Sequence, residues 1–227
     1  MTGPVHADLV LMLLADARLP VAGHTQSGGL EPGIRDGLGA QDVPAYVDVR
    51  LRTVTEVEAA TAVLAGRLLR TGAPDAAWLD LEQAWEARTP SPALRDASRR
   101  QARALLRIAR RTWPGAPAWT ALEALEHPSR AAALGALAGH LGLEGRAVAH
   151  LVGYDDVQTV CAAALKLLPL DPGSVVGWVV AALPAVEAMA TRVSSVADVD
   201  DLPATTHPLI EVWAQAHAAT TRRLFHA

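Results

Sequence analysis

Apolar residues recur every three or four positions along most of this chain, whereas the two-residue alternation typical of a half-buried strand is almost absent. Alanine, the strongest helix former, is very common, and clusters of β-branched residues are sparse. Glycine and proline break the pattern into short segments, and no long polar linker divides the chain. These features predict an all-α fold, a compact bundle of about 8–10 helices. We expect one domain over residues 1–227, with flexible tails at 1–8 and 222–227.

Helix start and stop signals give approximate boundaries for these segments. Ser91 is the expected N-cap of one helix, and Pro184 is expected to kink another. The segment 42–70 is predicted as one long helix with a single apolar stripe, which only the carboxylate of Glu58 interrupts. The helical segments predicted in this way are 5–17, 42–70, 75–88, 91–112, 119–125, 129–141, 144–168, 174–193 and 208–224.

Composition and charge exclude several classes of protein. Hydrophobic residues make up 51% of the chain and charged residues 19%, which excludes an intrinsically disordered protein. The formal net charge of −4 argues against a nucleic-acid binder. The N-terminus lacks the basic start of a signal peptide, and no run approaches about 18 uncharged apolar residues. We therefore expect a soluble, cytoplasmic protein that binds neither nucleic acid nor a membrane.

Motifs for catalysis and metal binding are missing from the sequence. It has no Gly-x-Ser-x-Gly elbow and no Walker loop, so no catalytic residue is assigned. The single cysteine, Cys161, lies in an apolar helical segment and is expected to be buried and inert. No two of the eight histidines are three or four positions apart, so no metal ligand is assigned. A small helical enzyme with a site assembled in space, around His24 and Glu31, remains an alternative.

Two segments are candidates for binding other proteins. Residues 19–31 read LPVAGHTQSGGLE, and this glycine density is typical of backbone that bends sharply or approaches a neighbour closely. They form either a recognition loop or a plain connector. The helix 91–112 is strongly basic, which indicates a solvated face or a patch for an acidic protein, since no aromatic residues interleave to stack on bases. Its arginines are Arg95, Arg99, Arg100, Arg103, Arg107, Arg110 and Arg111.

The glycine-rich loop resembles the signature of the UreF family of urease accessory proteins. Members carry a Leu-Pro-Val/Ile-Gly-Gly-Phe-Ser-Tyr-Ser-x-Gly-Leu-Glu type segment after a short Leu-rich helix. The departures at Ala22, His24 and Gln26 are similar to those of actinobacterial-type members, and Pro32-Gly33 is expected to shorten the helix that follows. The matching residues are Leu19, Pro20, Val21, Gly23, Ser27, Gly29, Leu30 and Glu31.

Three further segments resemble the same family in the same order. Residues 94–106 are similar to its Arg/Ser-rich central helix. Residues 163–170 are similar to its Ala-x-x-Arg-Leu-x-Pro-Leu segment, with Lys166 at the usual arginine position. The chain ends with a pattern like the family's closing His-x(5)-Arg-Leu-Phe, here His217 followed by residues 222–225. The resemblance therefore extends over nearly the whole chain.

The resemblance implies a non-enzymatic homodimer that acts in the maturation of urease, a nickel enzyme. It implies three partners: the accessory protein UreD (also called UreH), the GTPase UreG, and the urease apoprotein. Nickel and GTP would be handled by the complex, with no cofactor held by this chain itself. A direct nickel carrier is a second alternative function.

The resemblance also implies which residues contact partners. Residues 23–31 and Lys166 are expected to engage UreG. Arg223, Leu224 and Phe225 are expected to dock onto UreD, because an exposed Leu-Phe pair at a terminus otherwise favours aggregation. The alternative for Phe225 is packing against its own domain. The full set of expected partner-binding residues is Pro20, Gly23, His24, Ser27, Gly29, Leu30, Glu31, Lys166, His217, Arg223, Leu224 and Phe225.

Overall fold

The computed structural model of the chain describes residues 6–16, 25–221 and 224–225. These residues form α-helices, two short 3-10 turns (Ala40–Asp42 and Val199–Asp201) and connecting loops, with no β-strand among them, which confirms the all-α expectation. The helices are α1 (Ala7–Leu14), α2 (Leu30–Arg35), α3 (Val43–Leu51), α4 (Val54–Thr71), α5 (Asp75–Arg88), α6 (Pro92–Thr112), α7 (Pro117–Leu122), α8 (Arg130–His140), α9 (Gly145–Leu167), α10 (Pro172–Val193) and α11 (Pro208–Ala218).

Helix α4 is the centre of the bundle and packs against α5, α8 and α9. Between Thr55 and Gly66, every residue of α4 except Glu58 is buried. The prediction of a single apolar stripe on this helix is therefore wrong. Alanine and glycine occupy the other faces, and such small residues let neighbouring helices approach closely and bury all sides.

The closest helix–helix contact joins α4 and α8 through glycines. A Cβ added at Gly135 would lie 2.1 Å from the carbonyl oxygen of Ala62, and one added at Gly139 would lie 2.8 Å from that of Gly66. Both distances are shorter than any van der Waals contact, so the two backbones touch only because these positions lack a side chain. All of α8 from Ala131 to Gly139 is buried.

The apolar core is continuous from Val10 in α1 to Phe225 near the C-terminus, which makes the molecule a single domain. Trp78 and Trp85 are the largest fully buried side chains among the described residues. Cys161 is 1% exposed, and burial raises the pKa of its thiol to about 11. The expected burial of the cysteine is therefore confirmed, and the raised pKa disfavours the reactive thiolate.

The prediction of one long helix over 42–70 is wrong, because the helix is interrupted between Leu51 and Val54. Thr53 has φ −133° and ψ −106°, outside the helical region, and its hydroxyl donates a hydrogen bond to the carbonyl of Val49. The break turns α3 towards α9 and α10 while α4 enters the core. No glycine or proline marks this position, so the sequence carried no breaker signal there.

Other boundaries agree more closely with the predicted ones. Helix α5 matches its predicted range, and the hydroxyl of Ser91 caps α6 by accepting a hydrogen bond from the Leu94 N–H at 3.4 Å. Helix α2 is short, as the Pro32-Gly33 pair predicted, and α10 continues through Pro184. Helix α11 ends at Ala218, six residues before its predicted end.

Among the described residues, α10 alone is long and apolar enough to cross a membrane by length and composition, with a mean hydropathy of 1.6 and 28% of the window buried. The sequence estimate missed it because Glu187 ends the uncharged run. One such helix is weak evidence for a membrane protein, since a core helix of a soluble protein passes the same test. Helix α10 packs against α9, α3 and α4, and its buried residues are Val175, Val186, Met189, Ala190 and Val193.

Candidate functional site

The described end of the glycine-rich loop forms a tight cap on α2. The Ser27 hydroxyl accepts a hydrogen bond from the Glu31 N–H, and the Ser27 carbonyl accepts one from the Leu30 N–H. Gly28 and Gly29 have φ values of +59° and +81°, which side chains disfavour. A Cβ on Gly29 would lie 2.7 Å from the Tyr46 hydroxyl. The predicted reason for the glycines, a sharp bend with close backbone approach, is confirmed at these two positions.

Glu31 joins this cap to the C-terminal end of the chain. Its carboxylate accepts hydrogen bonds from the backbone N–H groups of Leu224 (2.9 Å) and Phe225 (2.9 Å), and from the Arg35 guanidinium (2.7 Å). The side chain of Glu31 is 5% exposed. Hydrogen bonds to an ionised acceptor are about twice as strong as neutral ones. Glu31 therefore holds a segment almost 200 positions away in sequence against α2.

Phe225 lies at the centre of this contact. Its ring is buried and lies beneath the Lys166 ammonium, with 5.2 Å between Nζ and the ring centroid. Its carbonyl lies 3.1 Å from Nε2 of His217, which is 2% exposed. Residues from three resembling segments thus meet at one place. We call Ser27, Glu31, Lys166, His217 and Phe225 the motif cluster.

The motif cluster divides the expected partner-binding residues into buried and exposed ones. Lys166 is exposed on α9, and Leu224, which precedes Phe225 in the chain, is 64% exposed. Ser27, Leu30, Glu31, His217 and Phe225 are buried, and Gly29 is half-buried. The buried residues shape the surface and do not themselves present side chains to a partner. Pro20, Gly23, His24 and Arg223 lie outside the described residues.

The expectation of an exposed Leu-Phe pair is wrong for Phe225. The residue is 3% exposed because the Glu31 carboxylate fixes the backbone and the ring packs under Lys166. The alternative, packing against its own domain, is the observed one. Within the predicted tails, Ala7 and Asp8 are helical, and the Leu224 N–H donates a hydrogen bond to Glu31; residues 1–5, 222–223 and 226–227 lie outside the described residues.

Replacing Glu31 by glutamine tests this C-terminal contact. The variant keeps the size of the side chain. It loses the negative charge of the carboxylate that accepts hydrogen bonds from two backbone N–H groups and from Arg35. We expect hydrogen–deuterium exchange of the Leu224 and Phe225 amides to accelerate by about tenfold or more, since charge-assisted hydrogen bonds contribute about 1.5–3 kcal/mol. Glu123→Gln, at an exposed position, is the control and should leave these amides unchanged. Equal exchange in wild type and Glu31→Gln would contradict the assigned role.

A second buried network, which the sequence analysis missed, holds the loop from the other side. Arg50 donates two hydrogen bonds to the Asp156 carboxylate (2.9 and 2.6 Å) and one to the Gly28 carbonyl (2.7 Å). Tyr46 also donates to the Gly28 carbonyl, and Thr55 donates to Asp156. Burial alone lowers the pKa of Arg50, but the Asp156 carboxylate raises it above its usual value. The only available signal was the presence of charged residues within apolar helices.

A polar cavity of about 130 Å³ lies beside this network, between the loop and helices α3, α4, α6 and α9. The charged groups facing it include Arg50, Glu58, Arg130, Asp155 and Asp156. Burial raises the pKa of Glu58, and the Trp85 indole N–H at 2.7 Å offsets part of that shift. Burial likewise raises the pKa of Asp155, although Arg130 lies 2.7 Å away. A cavity of this size and polarity suits ordered water.

The Glu58 carboxyl makes the stability of the protein depend on pH. Its pKa in the folded protein lies above the ordinary value of 4.5. The folded state therefore binds the Glu58 proton more tightly than the unfolded chain does. The stability that the protonated carboxyl contributes is present at low pH and is lost as pH rises through the folded-state pKa. Glu58→Gln keeps an oxygen acceptor for Trp85 and cannot ionise. We expect the variant to unfold at a higher denaturant concentration than wild type at pH 7–8, with the difference shrinking towards pH 4.

The control for this measurement is Glu126→Gln, because the Glu126 side chain is 92% exposed. Its denaturation midpoint should stay within experimental error of wild type at both pH values. A Glu58→Gln variant that is less stable than wild type at neutral pH would show that the ionised carboxylate is favourable there, contrary to the direction of the pKa shift.

The geometry of the described residues bears on the two alternative functions. The Glu31 carboxylate is saturated by backbone N–H groups and Arg35, so it is poorly suited to act as a general base with His24. Within residues 6–16, 25–221 and 224–225, no three His, Cys, Asp or Glu side chains are grouped to hold a metal ion.

Comparison with known proteins gives a consistent result. A model of the UreF family matches residues 38–183. The chain is 39% identical to the "Urease accessory protein UreF" of Mycobacterium sp. (strain JLS), over 95% of this chain and 96% of that protein. It is also 39% identical to the proteins of the same name from Mycolicibacterium vanbaalenii and Mycobacterium marinum, again over 95% of this chain and over 96% and 97% of theirs.

Proposed function

Because this chain belongs to the UreF family of urease accessory proteins, we propose that it acts in urease maturation as a scaffold that binds UreD (UreH) and, with it, recruits the GTPase UreG. In this role the complex delivers nickel to the urease apoprotein, and this chain makes and breaks no bond itself. Nickel and GTP are handled by the assembly, and the protein works in the cytoplasm. Membership of the family supports the role in urease maturation, whereas the partners and the residues that contact them are our proposal.

The observation that carries this proposal is the motif cluster. Segments near residues 30, 166 and 225 are far apart in sequence, yet Glu31, Lys166 and Phe225 are assembled into one contact. Its exposed side chains and those of its neighbours in sequence or hydrogen bonding are Arg35, Leu165, Lys166 and Leu224. Exposed apolar and cationic side chains together have the composition of a protein-binding surface, in which the apolar part gives affinity and the charges give orientation.

We also propose that two copies of the chain associate through the face of α1 and α10. Single exposed apolar residues are ordinary, but a contiguous apolar patch marks an interaction site. A groove of about 610 Å³ runs between these helices and α9 and is lined largely by apolar side chains. The large apolar residues exposed on the two helices are Leu9, Met12, Leu13, Val176, Val180 and Leu183, each 44–66% exposed.

Co-expression with UreD and UreG, followed by size-exclusion chromatography with light scattering, tests the proposal. Wild type should elute as a dimer when alone and carry both partners when co-expressed. Lys166→Glu reverses an exposed charge in the proposed UreG contact, and we expect it to lose most of the UreG while still retaining UreD. Lys166→Arg should behave as wild type, since it keeps the cation above the Phe225 ring.

The control is Arg67→Glu, which makes the same charge reversal at an exposed position on α4. It should bind both partners as wild type does. If Lys166→Glu retained UreG fully, the proposed UreG contact at Lys166 would be wrong. Failure of wild type to bind UreD would reject the scaffold role, and tight nickel binding by the isolated chain in calorimetry would favour the carrier.

A further inference from the structure

A basic groove on α6 is independent of the motif cluster and is not used by the proposed function. Arg99, Arg103, Arg107 and Arg110 follow one another at steps of four, four and three residues, which places them on one face of the helix. They form one wall of a groove of about 540 Å³, and Glu123, Glu126 and His127 border the other side. Its floor is apolar and consists of Leu106, Leu122 and Leu125.

The fold does not use these arginines, with one exception. Arg99 pairs with Glu86 and donates a hydrogen bond to the His127 carbonyl. Arg103, Arg107 and Arg110 are exposed and have no ion-pair partner among the described residues. Like charges one turn apart destabilise a helix, so this row lowers the stability of the free protein.

The helix dipole does not account for the row either. Basic residues are favourable in the last turn of a helix, and Arg110 lies in the last turn of α6. The dipole effect falls off within that turn, whereas Arg103 lies nine residues before the helix ends at Thr112. The dipole therefore does not offset the repulsion around Arg103 and Arg107, and their exposed guanidinium groups are available to an anionic partner.

The two walls indicate what kind of anion fits. Glu123 and Glu126 would repel a continuous phosphate backbone, and no aromatic side chain lines the groove to stack on bases. A protein segment can place acidic residues against the arginines and neutral or basic residues against the glutamates. Arg103 and Arg110 are separated by about 10 Å along the helix axis, which corresponds to two turns of a partner helix.

We propose that this groove binds an acidic amphipathic protein segment. Its acidic residues, spaced one turn apart, face Arg103, Arg107 and Arg110. An apolar residue beside them covers the floor at Leu106, Leu122 and Leu125. This is the helix-in-groove mode of recognition, with charge setting the register.

The test uses the full chain and a fluorescein-labelled synthetic peptide of about 15 residues, with Glu at positions i, i+4 and i+7 and Leu on the adjacent positions. Fluorescence anisotropy should show binding that weakens as salt rises. We expect R103E/R107E to lower the affinity roughly tenfold, since each exposed ion pair contributes a factor of about 1.4–5 and reversal adds repulsion. A peptide with Lys in place of Glu should not bind.

The matched control is R52E/R67E, which makes the same change in net charge at exposed arginines on α3's end and on α4. It should bind the acidic peptide as wild type does. If R103E/R107E melts below wild type, R103Q/R107Q takes its place and should weaken binding by a smaller factor. The proposal is overturned if wild type does not bind the acidic peptide at low salt. It is also overturned if the control loses as much affinity, or if a mixed-sequence oligonucleotide binds more tightly through the same arginines.

Discussion

Replacing Asp156 by alanine will lower the free energy of unfolding by about 3–5 kcal/mol, as expected when one partner of a buried ion pair is removed. Arg50 and Asp156 are 10% and 16% exposed, so the arginine left behind stays largely shielded from water and unpaired. The Gly28 carbonyl and the Thr55 hydroxyl contact the same pair, and both should lose order. Urea denaturation followed by circular dichroism measures the change.

Asp48→Ala is the matched control for this prediction. Asp48 pairs with Arg52 at 3.0 Å, but the two side chains are 44% and 70% exposed. An exposed pair contributes at most about 1 kcal/mol. The double variant Arg50→Met/Asp156→Leu should recover most of the loss, because it removes both charges together. A loss of less than about 1 kcal/mol in Asp156→Ala would show that the buried pair does not hold the loop.

Replacing Gly135 by alanine will destabilise the protein by about 1–3 kcal/mol, although alanine is the better helix former. The new methyl group would lie 2.1 Å from the Ala62 carbonyl oxygen, so α4 and α8 must separate. That movement loosens contacts along the most extensive helix pair in the bundle. Gly135→Leu should prevent folding, and thermal denaturation with the same optical probe distinguishes the two variants.

Gly177→Ala provides the comparison at a second helical glycine. Gly177 lies in α10, and nothing lies within 4 Å of an added Cβ. This variant should be as stable as wild type or more stable by up to about 1 kcal/mol. A destabilised Gly177→Ala, or a neutral Gly135→Ala, would contradict the packing described for α4 and α8.

The sequence predicted the helical class and most helix positions because local signals determine them. Ser91 caps α6 as expected, and the range 75–88 was correct at both ends. The prediction from the sequence failed at Thr53, where the helix is interrupted without a glycine or proline. The interruption lets α3 reach the loop while α4 enters the core. The prediction also missed the burial of all faces of α4, because periodicity detects large apolar residues and overlooks the alanines and glycines that allow close contact.

The same division holds for the candidate site. The resemblance identified Glu31, Lys166, His217 and Phe225 one by one, but no pattern in the sequence stated that they touch. It did not indicate that Arg50 and Asp156 pair, since they lie 106 positions apart and face each other only when α3 and α9 pack. The sequence alone left open whether Phe225 is exposed or packs against its own domain, because a terminal aromatic residue has no local partner.

The sequence by itself therefore determined that the chain is helical, where most helices lie and which family it resembles, since these depend on spacing and on neighbours within a few residues. The tertiary structure alone decided which charges are buried together, which of the motif residues face solvent, and how closely α4 and α8 approach. Those properties depend on contacts between residues about 70 to 190 positions apart, such as Ala62 with Gly135 and Glu31 with Phe225. How deeply each of these side chains is buried depends on how whole helices pack, and burial in turn determines the energy of each contact.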